Sequence, residues 1–160
     1  MAKQLPTEIF MPPNMLKAKV GGSGVGLDMG AVKRAEMAME NLKTEFSDWI
    51  NDDVANLVAA NEDYKAAQNA QTHGGLYRAA HDLKGQALTF EHPFVARIAS
   101  SLCKLLDGPT PHPLPLINAH VEAVRVLVRQ NVKDKADPTT TAVAKELEAR
   151  VAEVLAAQVA

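Results

Sequence analysis

Apolar positions recur with helical spacing from about residue 28 onward. Val32, Met39, Leu42, Phe46 and Trp49 succeed one another at steps of three, four or seven, with Ile50 alongside, which marks one apolar face. Asn51, Asp52 and Asp53 are capping types and predict a break there. Val54, Leu57, Val58 and Tyr64 carry a second helix to about Gln71, and Gly74-Gly75 signals a turn. A third helix is expected from Leu76 to about Phe90. Pro93 suits the first turn of a fourth, which carries Phe94, Ile98, Leu102, Leu105 and Leu106 and stops at Asp107-Gly108-Pro109. After a stiff PTPHPLP loop, Leu116, Ile117, Val121, Val124, Leu127 and Val128 define a fifth. Asp137-Pro138 reads as an N-cap with proline at the first helical position, opening a last helix with Val143, Leu147, Val151, Val154 and Leu155.

No segment alternates with period two over a useful length, so no strand is predicted. The fold class is therefore all-α: an antiparallel four-helix bundle with additional N-terminal and C-terminal helical segments. Residues 1–27 read as a flexible tail. Pro6, Pro12 and Pro13 interrupt helix formation, and Gly21, Gly22, Gly24 and Gly26 loosen the stretch up to residue 27, although Ile9, Phe10, Met15 and Leu16 could dock on the body. Residues 28–160 are expected to form a single domain. The GGSGVG stretch lacks the Gly-Lys-Ser/Thr ending of a phosphate loop and no strand pattern precedes it, so it carries no nucleotide site.

Composition narrows the function. Aromatic residues make up 4% of the 160 positions, so aliphatic side chains must fill the core. There are 17 basic and 19 acidic residues, a net charge of -2, and no polybasic run, which argues against nucleic-acid binding. No apolar run approaches a membrane span, and the N-terminus lacks the pattern of a secretory signal. Cys103 is the single cysteine, which excludes an internal disulfide and fits a reducing cytoplasm. It sits beside Leu102 and Leu106 and reads as a packing residue.

The chemistry concentrates in LYRAAHDLKGQALTF, residues 76–90. On a helix, Lys84 lies about 60° around from His81 and Gly85 about 40° to the other side. Ala79, Leu83 and Phe90 take the opposite face, with Ala80 and Ala87 near the boundary. An imidazole thus stands in water with an ammonium beside it and a bare backbone position one turn on. A mid-helix glycine costs about 1 kcal/mol relative to alanine. Gly85 therefore implies a close approach beside His81, or else packing between helices.

His81-Asp82-Leu83-Lys84-Gly85, with Ala80, Ala87 and Phe90 around it, resembles the His-x-x-Lys-Gly pattern of the histidine-containing phosphotransfer (HPt) family of two-component phosphorelays. The resemblance covers roughly residues 45–130. It implies a phosphorelay intermediate in which His81 accepts a phosphoryl group from an aspartyl-phosphate receiver domain and passes it to another. Lys84 would neutralise the phosphoryl oxygens, Gly85 would admit the partner, and Gln86 could add a contact at the edge. Tyr77, Arg78, Leu88 and Thr89 would help dock the partner, with residues around Leu57 to Asn61 on the preceding helix. Partners would be receiver domains of a hybrid histidine kinase or a response regulator. The chain would be a carrier without independent turnover, with no cofactor of its own, the magnesium ion belonging to the receiver. An exposed single site favours a monomer. One departure is Glu91, where the family usually has a second glycine.

Other readings compete. His-Asp-Leu-Lys is similar to the His-Glu-Leu-Arg of histidine-kinase dimerisation fragments, but that pattern continues Thr-Pro, not Gly85-Gln86, and the remaining chain is too short for an ATP-binding domain. A helical adaptor without phosphoryl chemistry is the other rival. Of the remaining histidines, His73 and His92 read as loop or cap residues, His112 as a loop residue without a role, and His120 as a core or boundary histidine. No short spacing among the five supports a metal site. Met29, Met37 and Met39 read as core or helix edge.

Overall fold

A computed structural model of the protein describes residues 28–133 and 137–159; the expected tail, 1–27, lies outside the described residues. Five helices and no strand occur among them: α1 (Met29–Ala66), α2 (Ala70–Gln86), α3 (Pro93–Leu106), α4 (Leu114–Arg129) and α5 (Pro138–Val159). Backbone contacts divide the chain into two compact units, Met1–Ala38 and Met39–Ala160. In the first, Asp28 caps α1 by accepting from the Gly30 backbone at 2.9 Å. The second holds the helical bundle, in which short connections make consecutive helices antiparallel neighbours.

α3 is the hub. Ten of its 14 residues are buried, and it packs on α2, α4 and α5. A helix apolar nearly all round has no solvated face to orient it, so its neighbours must enclose it. Pro93 occupies the first turn, where its missing N–H costs nothing. Arg97 is one of its few polar links, donating from Nε and from a terminal guanidinium nitrogen to the two oxygens of Glu148 on α5 at 2.6 Å each. Those bonds pull the Glu148 carboxyl below the usual range. Asn61 of α1 donates to Asn118 of α4 at 2.9 Å, and Leu57 and Tyr64 bury on either side of it.

The expected break at Asn51–Asp53 does not occur. Ile50, Val54, Leu57, Asn61 and Tyr64 form one uninterrupted buried stripe, and the capping residues lie outside it. Asn51 donates to the Ser47 carbonyl at 2.7 Å, so its side chain serves the helix that its residue type predicts it should end. The apolar face expected earlier on α1 is buried only at Ile50. Phe46 is half-buried, while Met39, Leu42 and Trp49 are exposed, as are Met29 and Met37. Phe46, Trp49 and Phe90 form a ring cluster with centroids 5.4–6.4 Å apart.

The start of α2 also differs from the expected Leu76. Asn69 Oδ1 accepts from the Gln71 and Thr72 backbone at 2.9 and 3.0 Å, and Thr72 Oγ1 accepts from the Asn69 backbone at 3.2 Å. This reciprocal capping box opens the helix at Ala70 and carries it through Gly74 and Gly75, the expected turn. At the other end, turns over 87–91 complete the run to Phe90. The Asp137 cap is as expected: its Oδ2 accepts from the Thr140 backbone at 2.6 Å.

Three imidazoles are buried away from water. His120 donates from Nδ1 to the Leu116 carbonyl at 2.8 Å, which leaves Nε2 to accept from Ser101 Oγ at 3.0 Å. His112 stacks on His73, centroids 5.1 Å apart, and His92 stands at the N-cap of α3. His73 itself lies in the first turns of α2, not in a loop, and its Nε2 meets the Leu106 carbonyl at 3.0 Å. His112 is accordingly a packed residue, not an idle loop position. Desolvation holds His92, His112 and His120 below the ordinary histidine value. The unfolded chain takes up these protons as pH drops below about 6.5, whereas the folded chain does so only at lower pH. Stability is therefore complete above that pH and declines as pH falls toward the depressed folded values. Thermal unfolding monitored from pH 7 to pH 5 should show a falling midpoint, and His112→Gln, with one titrating group fewer, a shallower fall.

Candidate functional site

α2 has two sharply different sides. Leu76, Ala80, Leu83, Ala87 and Phe90 are buried, and these positions repeat every three or four residues. Their burial sets the rotation of the helix about its axis. His81, Lys84, Gly85 and Gln86 are thereby turned to solvent. Of the five histidines only His81 is exposed.

Around His81 the surface is built from a few named groups. The Tyr77 ring, one turn earlier, stacks on the imidazole with centroids 6.1 Å apart and planes 24° from parallel. A shallow depression lined by Gly74, Tyr77, Arg78 and His81 opens on that side. Lys84 lies one turn later, and its charge reaches across to α3, where it partly offsets the burial that pushes the Cys103 thiol up. Cys103 is buried, as its sequence position suggests, and carries no exposed nucleophile. Asp82, next to His81 in the chain, lies within electrostatic reach of Asp53 on α1. Burial first, then Asp82 and Asp52, raise the Asp53 carboxyl.

Gly85 has open space where a side chain would stand: a Cβ built there meets nothing within 4 Å. Among the described residues no helix packs against it, so interhelical packing there does not account for this glycine. Gly74 and Gly75 earlier in the same helix have the same open space.

The residues expected to dock a partner separate into two groups. Arg78, Leu88 and Thr89 are exposed and Tyr77 is half-buried; Leu88 shows 64% of its surface to water. Leu57 and Asn61, by contrast, point into the bundle and are buried. Their helix is in place, but the continuous α1 register turns them inward, so they do not join the expected docking surface. A groove that sequence reading missed lies past the end of α2. It is lined by Met39, Leu42, Phe46, Thr89, Phe90 and His92 among others. The exposed Met39 and Leu42 were the available signal, hidden by the assumption that apolar residues on a helix are buried.

The turn after α2 explains the position of Glu91. Its φ is 63°, in the left-handed region. The His92 backbone donates to the Ala87 carbonyl at 2.7 Å and the Glu91 backbone to Leu88 at 3.2 Å, the paired bonds of a Schellman motif. The same pair recurs after α4, with Asn131 at φ 50° and bonds from Val132 to Leu127 and from Asn131 to Val128, both 3.0 Å. Asparagine tolerates that conformation; a glutamate does so at a cost of about 1–2 kcal/mol. Lys133, 3.6 Å from the Glu91 carboxylate at the surface, offsets little of it. The turn is thus the one a glycine would make, formed by a residue that resists it.

Among the described residues no group of three His, Cys, Asp or Glu side chains could hold a metal ion, and no helix is long and apolar enough to cross a membrane. A family model, Hpt domain, matches residues 41–157, which is most of the chain and takes in all but the last two residues of α5. No curated protein and no solved structure gives a significant match.

Two substitutions test these local assignments in denaturant titrations. Glu91→Gly should stabilise the protein by about 1 kcal/mol, because the strain goes and only a surface ion pair is lost. Gly85→Ala should stabilise it by about 0.5–1 kcal/mol, since the methyl group meets open space and gains helix propensity. A destabilised Gly85→Ala protein would place a hidden packing partner at that position.

Proposed function

Because the chain belongs to the Hpt domain family, whose chemistry is histidine phosphotransfer in phosphorelays, we propose that His81 is its phosphoacceptor. The observation that carries this is the exposure of His81: it stands at the solvent face of a packed helix, with Lys84 a turn away and open space at Gly85. Of the four other histidines, His92, His112 and His120 are buried, and the half-buried His73 has its Nε2 engaged by the Leu106 carbonyl.

In this reading the neutral His81 ring, protonated at Nδ1, presents the Nε2 lone pair to the phosphorus of a receiver's aspartyl phosphate. The N–P bond forms as the O–P bond breaks, and the carboxylate leaves with the electron pair. The transferring group passes through a loose, highly charged state, so alignment and cations matter more than covalent help. Lys84 supplies one positive charge from this chain. The magnesium ion that the transfer uses belongs to the receiver. Gln86 lies about 140° around the helix from His81, so its contact with the partner is at the rim. Arg78, Leu88 and Thr89 offer the mixed apolar and polar surface of a transient contact. The protein would accept and pass on phosphoryl groups between a hybrid kinase's receiver and a response regulator, without turnover of its own.

The test is labelling by a phosphorylated receiver domain. Wild-type protein should acquire an acid-labile, alkali-stable label. His81→Gln should take none while keeping its helix content and unfolding midpoint, since the ring lies outside the core. Lys84→Ala should label more slowly by about tenfold. Gly85→Ala should be slow with the receiver but normal with phosphoramidate, which needs no docking. Full labelling of His81→Gln would remove the assignment. An unlabelled wild type would favour the adaptor reading.

A further inference from the structure

We propose that Tyr77 is a positioning residue for His81 and that Asp107 holds it in place. The proposal deepens the phosphotransfer reading and rests on it. An exposed imidazole on a helix is free to rotate about two bonds. His81 is not left free on the Tyr77 side: the two rings stack 6.1 Å apart, 24° from parallel. Stacking fixes the imidazole only if the phenol is itself fixed. Tyr77 is half-buried, and its hydroxyl donates to Asp107 Oδ2 at 3.4 Å. Asp107 is the C-cap residue of α3, and its backbone N–H bonds back to Cys103 and Leu105. The tyrosine is therefore held from a second helix, and the hub of the bundle sets where the His81 ring lies. The Asp107 carboxylate also pushes the Tyr77 hydroxyl above its ordinary value.

The arrangement has a chemical consequence. When Nε2 of His81 bonds to phosphorus, the ring keeps its Nδ1 proton and becomes cationic. The face of an aromatic ring attracts such a charge. A phenol that donates to a carboxylate is the more electron-rich for it. Tyr77 thus holds the neutral ring in one orientation and favours the charge that develops on it. Neither effect needs contact between Tyr77 and the incoming partner, which separates this role from docking.

The experiment compares wild type with Tyr77→Phe, Tyr77→Leu and Asp107→Ala in the full chain. Two phosphodonors are used, a phosphorylated receiver and phosphoramidate, with the His81 ring-proton shifts recorded by NMR. Tyr77→Leu should label about threefold to tenfold more slowly with both donors. Its His81 protons should lose the upfield displacement caused by the neighbouring ring. Tyr77→Phe keeps the ring but loses the bond to Asp107, so both signals should fall between those of wild type and Tyr77→Leu. Asp107→Ala, which breaks the same bond, should match Tyr77→Phe. Wild-type rates and shifts in Tyr77→Leu would overturn the proposal, as would a deficit seen only with the receiver, which would make Tyr77 a docking residue. If the wild type itself takes no label at His81, the phosphotransfer reading fails first. A labelled wild type beside an unaffected Tyr77→Leu fails the positioning role alone.

Discussion

The rotation of α2 about its own axis governs the site. Leu76, Ala80, Leu83, Ala87 and Phe90 are all buried against the bundle. Removing such a stripe from water is worth about 1.5–3 kcal/mol for each large side chain. A turn of the helix by one residue, roughly 100°, would expose part of that stripe and drive charged groups inward. The position of His81 in water is the other side of this constraint. A site that meets a macromolecular partner needs an exposed reactive atom on a rigid support, and an amphipathic helix on a packed hub provides both.

The other histidines show how far environment separates chemically identical side chains. His120 is locked by two hydrogen bonds, His112 is stacked and desolvated, and His92 is enclosed at a helix start. Desolvation lowers the proton affinity of each. Cys103, a stronger nucleophile as a thiolate, is silenced in the same way, its thiol pushed up by desolvation. Burial thus leaves a single exposed histidine on the described surface.

Several local features were legible only in part. The Asp137 cap and Pro93 start were readable because a cap is decided within four residues. Asn69 with Thr72 is as local, yet Gly74 and Gly75 carried the louder signal, and a capping box with tertiary packing overrides two glycines worth about 1 kcal/mol each. Asn51–Asp53 failed as a break for the related reason that polar residues on the solvent side of a long helix look like caps. Glu91 is a clearer case of tertiary control. Its own preference is against φ 63°, and the turn persists because both flanking helices are anchored.

By itself the sequence determined the all-helical class, the bundle, and the common face of His81, Lys84 and Gly85, because helical periodicity is a property of neighbours a few residues apart. Family membership was legible in the same short motif. Which apolar residues stay in water, such as Met39, Leu42 and Leu88, was decided by the tertiary structure, as was the inward turn of Leu57 and Asn61. The bracing of Tyr77 by Asp107 also belongs there. The two residues are 30 positions apart in the chain, and only the packing of α2 on α3 brings them within reach. Periodicity gives each helix its faces; which face meets which is settled by the burial of all of them at once.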